Sequence, residues 1–425
     1  MTDRAGQYPR GAALTLAELR EDPHPGLARL REAEPVSWVP VLNGWLVTRW
    51  DLAAAVMRDS AAFTVDDPRF STARVVGPSM LSLDGPGHDR HRRPFGAPFS
   101  RPAVHDQLAA FVTGEADRLV SAMRAGSTGG RAAGPGAGRG DLSRGLAAPL
   151  AVAVVARVLG LGQVDPGTIL SWYDAIVRAV SELSASPSAD SPSPGAGQAA
   201  ATRAAAVTAG TAAFRELSDS LAAVIEGPAG GSLLAAAVQP GLSTAEIISN
   251  AAVLMFGGIE TTEGMIANAA WHLLSHPDQL DLVRADPGLL PQAVEESLRL
   301  EPAAAVVDRY ATRDTELGDA QFRAAITPGD LVSVSLAGAG RDPAVFPDPD
   351  RFDVRRDNAR QNLAFARGPH FCLGVHLARL EAHAALSAAL SQLPGLRLDP
   401  DHAVAPRGLV FRKPSSLPVC WDAAG

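Results

Sequence analysis

The sequence predicts a mainly α-helical fold with small β-sheets, and three observations support this prediction. Apolar residues recur at helical spacing over long stretches, and the stretch 243–275 is the longest of them. Two short β-like runs, 36–40 and 45–48, flank the turn sequence Leu42-Asn43-Gly44 near the start of the chain. Because 46% of the 425 residues are apolar, the chain can bury a large core.

Charge and cysteine content argue against several classes of protein. The net charge of -8 argues against nucleic acid as a partner, because phosphate binding needs a basic surface. Only two cysteines occur, Cys372 and Cys420, which gives no disulfide framework and suits the reducing cytoplasm. The stretch 1–10 has no apolar signal-peptide core, and no uninterrupted apolar run reaches the about 18 residues that a membrane span needs. We therefore expect a cytoplasmic protein with no membrane anchor.

The first part of the chain is predicted to combine short helices with a small sheet. Residues 14–34 form an interrupted helix, the two β-like runs form a hairpin, and residues 49–58 are helical again. An irregular stretch then leads to a cluster of histidines and arginines at 84–93. If a helix starts near His88, then His88 and Arg92 lie at i and i+4 and share one face. The alternative is a solvated, charged helix start.

Further helices are predicted at 108–123, 146–161, 167–183 and 198–225, and two low-complexity segments separate them. The first segment, 126–140, is rich in glycine and is expected to be a mobile surface loop. The second, 184–197, is rich in serine and proline. It is either a boundary between two domains or a functional mobile loop.

The predicted helix 243–275 begins at the capping box Ser243-Thr244-Ala245-Glu246 and ends before His276-Pro277. Some thirty residues at about 1.5 Å each span roughly 45–50 Å, so the helix must run through the core. Its middle reads Phe256-Gly257-Gly258-Ile259-Glu260-Thr261-Thr262, and each glycine costs on the order of 1 kcal/mol relative to alanine. Either another helix packs closely on the glycines, or the glycines, the acid and the hydroxyl form a functional site.

The second half of the chain combines a short helix with strands. Glu296 and Arg299 lie at i and i+3 in the predicted helix 291–300 and can pair, as such residues do on many solvated helices. The stretch 302–311 is predicted as a strand, and Arg309 near its end could equally be a surface charge or a ligand-binding cation. Short strands are also predicted within 320–336 and 409–421.

The strongest signal for function is the stretch 365–374, with the sequence FARGPHFCLG. Cys372 precedes a predicted helix, whose free N–H groups would lower the thiol pKa and favour the thiolate that binds metals. Gly368 can adopt the positive φ of a tight turn, Gly374 lets the backbone approach a flat cofactor, and Phe365 could shield the sulfur from water. Taken alone, Cys372 could also be a buried structural thiol.

The composite pattern F-x-x-G-x-H-x-C-x-G resembles the heme-binding loop of the cytochrome P450 family of heme-thiolate monooxygenases. It departs from the family pattern at Ala366, where glycine is usual. The resemblance implies a triangular helical fold with a long central helix over heme b, and it makes Cys372 the axial ligand of the iron. It also implies an N-terminal tail, 1–20, followed by a single domain, 21–425.

The same resemblance assigns residues to the surroundings of the heme. Two buried propionates need cations, and these are His88, Arg92, Arg309 and His370. The other cofactor-binding positions are Phe365, Gly374, Gly257 and Gly258. Thr261 would hydrogen-bond dioxygen and Glu260 would feed protons through water, although Glu260 could instead point outward to a salt bridge.

Two further groups of residues follow from the resemblance. Glu296, Arg299 and Arg351 would form a buried ion network that holds the cysteine loop. The tentative substrate pocket is apolar with mostly small side chains and comprises Leu81, Val253, Ala305, Val306 and Val410. The segment 184–197 would be a lid over the substrate channel.

The implied reaction is insertion of one atom of dioxygen into a hydrophobic small molecule of secondary metabolism. Electrons would come from NAD(P)H through a ferredoxin reductase and a ferredoxin, which Arg360, Arg367 and Arg379 would help to dock, and the enzyme would be a monomer. Two alternatives remain open. One is a heme-thiolate enzyme that couples or rearranges its substrate without inserting oxygen, and the other is a non-catalytic heme or ligand-binding protein.

Overall fold

The computed structural model describes residues 4–126, 138–184, 196–227, 234 and 241–422. Most of the two predicted loops, 126–140 and 184–197, therefore lies outside the described residues. The described chain is mainly helical with small sheets, which confirms the predicted fold class. Within this part of the chain, no helix has both the length and the apolar character needed to cross a bilayer.

The helices are numbered in chain order. They are α1 (Arg4–Gln7), α2 (Pro9–Ala12), α3 (Leu16–Glu21), α4 (His24–Ala33), α5 (Trp50–Arg58), α6 (Ser71–Val76), α7 (Gly85–Gly96), α8 (Arg101–Gly126), α9 (Ala148–Leu159), α10 (Pro166–Ser184), α11 (Ala196–Glu226), α12 (Thr244–Ser275), α13 (Pro277–Ala285), α14 (Leu290–Leu300), α15 (Leu336–Ala339) and α16 (Val375–Gln392).

The strands form three small sheets. They are β1 (Val36–Val39), β2 (Gly44–Val47), β3 (Phe63–Thr64), β4 (Gly138–Asp141), β5 (Val306–Ala311), β6 (Thr315–Gly318), β7 (Arg323–Ile326), β8 (Leu331–Ser335), β9 (Arg397–Leu398) and β10 (Pro418–Trp421). The sheet orders are β1-β2-β8-β5-β3, β4-β10-β9 and β6-β7. In the first sheet, β2 pairs in parallel with β8 and the other pairs are antiparallel.

The chain divides into two compact units, each built from separate stretches of sequence. The first unit comprises Met1–Thr64, His105–Ala151 and Glu260–Gly425, and the second comprises Val65–Val104 and Val152–Ile259. The boundary between Ile259 and Glu260 falls inside α12. The prediction of a single domain stays a prediction.

The core of the first unit lies against the five-stranded sheet. Trp45, Val47, Val332 and Val334 face the same buried cluster as Met57 of α5. The hairpin between β1 and β2 forms as its sequence predicts, because Asn43 adopts the left-handed conformation at φ 47° that the tight turn requires. The β-branched residues that alternate along these strands thus become the buried face of the sheet.

The structure corrects the predicted tail, 1–20. Tyr8 is buried with its ring edge on Trp45, at 4.9 Å between centroids, and Arg4 pairs with Asp330 at 2.9 Å. Thr15 caps α3 through a reciprocal capping box. The stretch looks polar in sequence, yet one aromatic residue and one arginine tie it to the sheet of the first unit.

The structure also corrects the end of the predicted loop 126–140. Residues 138–140 belong to β4, which pairs with β10 in register from Gly138 opposite Trp421. A Cβ on Gly138 would lie 2.2 Å from the Trp421 ring, so glycine is required for the indole to cover the strand. Glycine here permits close packing, although a run of glycines reads as a loop.

In the second unit, helices α10 and α11 pack closely on each other. A Cβ on Gly210 would lie 2.4 Å from the Ala179 Cβ, and the Trp172 Nε1 donates to Glu216 at 2.8 Å.

The predicted capping box is confirmed at the start of α12. The Glu246 N–H donates to the Ser243 Oγ at 3.3 Å, and the Ser243 N–H donates to the Glu246 carboxylate at 2.8 Å.

Candidate active site

The cysteine loop is a tightly turned segment of the first unit. The Cys372 N–H donates to the Phe365 carbonyl at 2.9 Å, and the Phe371 N–H donates to the Gly368 carbonyl at 3.1 Å. Gly368 has φ 72°, and a Cβ there would lie 2.4 Å from the Met57 carbonyl oxygen. Cys372 is half-buried and lies three residues before the start of α16, whose N-terminal N–H groups favour a thiolate.

Ala366, which departs from the resemblance, occupies a position that favours glycine. Its φ is 57°, in the left-handed region that costs an alanine about 1–2 kcal/mol. Its N–H donates to the Leu363 carbonyl at 2.8 Å, and its methyl group packs against the buried cluster of the five-stranded sheet. The loop therefore keeps the turn that glycine would make, and packing of the methyl group offsets part of the strain.

A buried acid that the sequence reasoning missed, Glu295, supports the ring beside the cysteine. The Arg379 guanidinium lies over the Phe365 ring, 4.8 Å from its centroid. Arg379 also donates to both oxygens of Glu295, at 2.5 and 3.1 Å, and Asn362 donates to the same carboxylate at 3.2 Å. Arg379 is thus held by an internal carboxylate, which weakens the prediction that it serves as a docking cation.

Glu296 and Arg299 form a fully buried ion pair. Arg299 donates from Nε and Nη2 to the two Glu296 oxygens, at 2.7 and 2.8 Å, and both side chains are 0% exposed. The third side chain is Arg356, whose Nε donates to Glu296 at 2.9 Å. The prediction for Arg351 needs correction, because its guanidinium is 63% exposed and 3.9 Å from Asp353. Arg351 contributes its backbone carbonyl, which accepts from Arg299 at 3.1 Å.

The predicted propionate cations divide between the two units. In the first unit, Arg309 on β5 is 5% exposed and donates to the Asp308 carbonyl at 2.7 Å, and His370 is half-buried in the cysteine loop. In the second unit, His88 is buried and Arg92 half-buried on α7, where the i and i+4 spacing places them on one face. Cationic groups at this level of burial suit an anionic ligand.

The two glycines in the middle of α12 differ in their surroundings. A Cβ on Gly258 would lie 2.8 Å from the Val155 Cγ2, so Gly258 allows close packing within the second unit. A Cβ on Gly257 would meet no atom within 4 Å, and Gly257 is exposed in a helix that is mostly buried around it. Gly258 therefore matches the packing alternative, whereas Gly257 faces open space.

Glu260 points to a salt bridge in this structure, which was one of its two predicted orientations. Its Oε1 lies 3.0 Å from the Nζ of Lys413, and the Glu263 Oε2 lies 2.5 Å from the same nitrogen. Burial raises the pKa of Glu263, while Lys413 opposes this shift. Sequence reasoning missed Lys413, because 153 positions separate it from Glu260 and no motif contains it.

The cysteine loop of the first unit fits a flat cofactor with a metal that takes a thiolate ligand. The nearest atom to a Cβ built on Gly374 is the Cys372 Sγ, at 4.0 Å, so Gly374 carries no atom that would obstruct a ring beside the sulfur. A half-buried thiol at a helix N-terminus is a chemically suitable donor for iron. The thiol donor and the open position at Gly374 thus agree with heme as the bound group.

The tentative pocket residues differ in exposure. Val410 is 43% exposed, Leu81 and Val306 are half-buried, and Val253 is buried. Ala305 is 2% exposed within a core cluster that also contains Leu14. The structure therefore places Ala305 in the core, and it contributes there through its backbone, which accepts from the Leu336 N–H at 2.8 Å.

Comparison with known proteins gives a consistent result. The cytochrome P450 family profile matches residues 231–403. The chain is 36% identical to cytochrome P450 monooxygenase PikC of Streptomyces venezuelae, over 94% of this chain and 91% of that protein. It is 33% identical to 6-deoxyerythronolide B hydroxylase of Saccharopolyspora erythraea, over 93% and 95%. The crystal structure of CalO2 superposes with a TM-score of 0.82 at 32% identity, over 97% of this chain and 100% of that chain.

Proposed function

Because the chain belongs to the bacterial cytochrome P450 family and is a P450 monooxygenase, we propose that it inserts one atom of dioxygen into a hydrophobic small molecule of secondary metabolism. The observation that carries this proposal is the turned loop that presents Cys372 at the N-terminus of α16. Relatives whose names state a reaction include 6-deoxyerythronolide B hydroxylase and 20-oxo-5-O-mycaminosyltylactone 23-monooxygenase. These names support a bulky natural product as the substrate.

Cys372 would hold heme b as the thiolate ligand of its iron. When bound, the heme supplies dioxygen activation, and its thiolate ligand donates the electron density that favours O–O cleavage. The chain contributes the orientation of the sulfur, through the Cys372 N–H bond to Phe365 and the required glycine at 368. Phe365, held under the Arg379 guanidinium, would shield the thiolate from water.

The proposed propionate partners are His88, Arg92, Arg309 and His370. Each propionate carries a charge that is costly to bury without a cation. The burial of Arg309 and His88 supports this assignment, because a cation inside the protein can offset the cost of burying a propionate.

Thr261 and Glu260 are the proposed proton-delivery pair. The Thr261 hydroxyl can donate a hydrogen bond to dioxygen and accept one in turn. The Glu260 carboxylate can exchange protons with solvent, because its side chain is 19% exposed. In its salt-bridged orientation Glu260 is bound to Lys413, so proton delivery requires that the carboxylate leave this partner.

The proposed electron donors are a ferredoxin and its reductase, which draws on NAD(P)H, and the proposed location is the cytoplasm. Arg360 and the partly exposed Arg367 are cations near the cysteine loop, and Phe371 beside the cysteine is 38% exposed. An exposed apolar side chain in a loop that also carries an arginine suits an acidic partner protein. The enzyme is proposed to act as a monomer.

The test uses the CO complex of the reduced protein. We expect the red-shifted Soret band of a thiolate ligand in the wild type and its loss in Cys372→Ala, with Cys420→Ala as the matched control because Cys420 is buried in β10. A band that survives Cys372→Ala would refute the assignment. In turnover under isotopically labelled dioxygen, we then expect one labelled oxygen atom in the product. An unlabelled product would indicate coupling or rearrangement without oxygen insertion. An absence of turnover with redox partners would indicate a non-catalytic heme protein.

A further inference from the structure

Lys413 is the single lysine in the chain, so the other 37 of the 38 cationic residues are arginines. It lies in a hairpin of the first unit, where Lys413 and Arg407 exchange backbone hydrogen bonds of 3.1 and 3.2 Å. The hairpin is fixed by bonds from the Arg412 N–H to the Ala303 carbonyl and from the Ala305 N–H to the Val410 carbonyl, both at 2.8 Å. Lys413 is therefore presented by a rigid backbone.

Gly264 brings this hairpin close to α12. A Cβ on Gly264 would lie 2.8 Å from the Ala303 Cβ and 3.5 Å from the Lys413 Cβ. Because Gly264 has no side chain, α12 can approach the hairpin closely. The Lys413 ammonium then reaches Glu260 and Glu263, which share a face of α12 within one turn of Gly264. The three side chains are only 15–20% exposed, so their charges are weakly screened.

One ammonium here serves two carboxylates. Lysine is a compact charge with three donors, so it can bind two acids at once, whereas the planar arginine fork matches a single carboxylate. Burial and the neighbouring Glu260 raise the pKa of Glu263, and Lys413 lowers it. If the Glu260 carboxylate turns away from Lys413, Glu263 still pairs with the ammonium. The movement of Glu260 therefore does not leave a partly buried positive charge unpaired.

We propose that Lys413 is a positioning residue that holds the Glu260 carboxylate, with Glu263 as the second partner that lets Glu260 turn away. This inference rests on the proposed role of Glu260 in proton delivery. Lys413 touches neither substrate nor cofactor in this scheme, and it acts through the acid alone. No bond is made or broken beyond the transfer of a proton between Glu260 and water.

The functional test compares the pH profiles of Lys413→Met, Lys413→Arg and the control Arg407→Met. Arg407→Met removes one positive charge from the same hairpin, as Lys413→Met does. Arg407, however, pairs with Glu21 and is 64% exposed. Removal of the ammonium should move the acid limb of the profile to higher pH, because the two neighbouring carboxylates then lack their shared cation, and it should lower the ratio of product to NAD(P)H consumed. Lys413→Arg should restore the profile only in part, because the guanidinium keeps the charge but matches a single carboxylate, and Arg407→Met should not alter it. An unchanged profile in Lys413→Met overturns the proposal.

A second readout is independent of turnover. Reductive methylation with ¹³C-formaldehyde keeps the lysine charge and labels Lys413 and the terminal amine, and the Lys413→Met spectrum identifies the lysine signal. This resonance should titrate above pH 4.5, the ordinary value for Glu263, and Glu263→Gln should abolish that step. Glu260→Gln should shift it to lower pH by removing the neighbouring negative charge. A resonance insensitive to both substitutions overturns the pairing. If no substrate is oxidised, the proposed function fails. The titration of the Lys413 resonance then tests the pairing of Lys413 with Glu260 and Glu263 without any need for turnover.

Discussion

The buried ion network offers the sharpest test of the geometry, because the substitution of two arginines five positions apart should destabilise the protein to very different extents. Arg356 is 8% exposed and donates to Glu296, to the Pro347 carbonyl at 2.5 Å and to the Asp348 carbonyl at 3.0 Å. Arg351 is mostly exposed and serves through its backbone alone in this network. Arg356→Ala should therefore be severe and Arg351→Ala mild.

The expected loss in the free energy of unfolding follows from the burial of each arginine. Removal of one partner of a buried ion pair costs about 3–5 kcal/mol, because the remaining charge is uncompensated. Arg299 continues to bind Glu296, so the lower end, about 3 kcal/mol, is expected for Arg356→Ala. Substitution of an exposed arginine should stay within about 0.5 kcal/mol.

The assay is denaturant unfolding of both variants and the wild type, followed by circular dichroism under one set of conditions. Heme retention after the same incubation reports on the cysteine loop separately. Equal destabilisation by Arg351→Ala and Arg356→Ala, or a loss below about 1 kcal/mol for Arg356→Ala, would refute the network as described.

Two further outcomes follow from strain and from burial. Ala366→Gly should stabilise the protein by up to about 1 kcal/mol, because glycine accepts φ 57° without strain; a lower unfolding midpoint than the wild type would show that the methyl packing dominates. His272, fully buried against Ser297 at 2.9 Å, has its pKa lowered to about 3 by burial. Between these two pKa values the unfolded chain therefore binds a proton on His272 that the folded chain does not bind. The free energy of unfolding should fall as the pH drops from about 6.5 towards 3, by up to about 1.4 kcal/mol per pH unit. His272→Phe should flatten this slope in acid-unfolding curves, and an unchanged slope would contradict the assignment.

Local signals predicted the features that are set by neighbours in sequence. The capping box at Ser243 and the turn at Asn43 formed where their residues required them. The fold class and the family followed from the glycines and the cysteine of a ten-residue loop, because each residue there has its own geometric task. Such motifs carry their physical reason within one or two turns of chain.

Partners that are distant in sequence could not be predicted. Arg351 and Arg356 are both arginines in one irregular stretch, and only the path of the backbone decides which guanidinium turns inward. Glu295 and Glu296 are adjacent acids, and each binds a different arginine, Arg379 or Arg356. Lys413 reaches α12 because Gly264 permits close approach, and such an approach is a property of tertiary packing.

The parallel pairing of β2 with β8 affects how the chain can fold during synthesis. Trp45 lies opposite Val332, so the early hairpin cannot gain its central neighbour until nearly 290 further residues have left the ribosome. At about 5–20 residues per second this takes roughly 15–60 s. Throughout that interval the edge of β2 is unpaired and exposes Trp45 and Val47, a template for wrong strand pairing. Slow translation should therefore lower the yield of this protein unless a chaperone covers the hairpin.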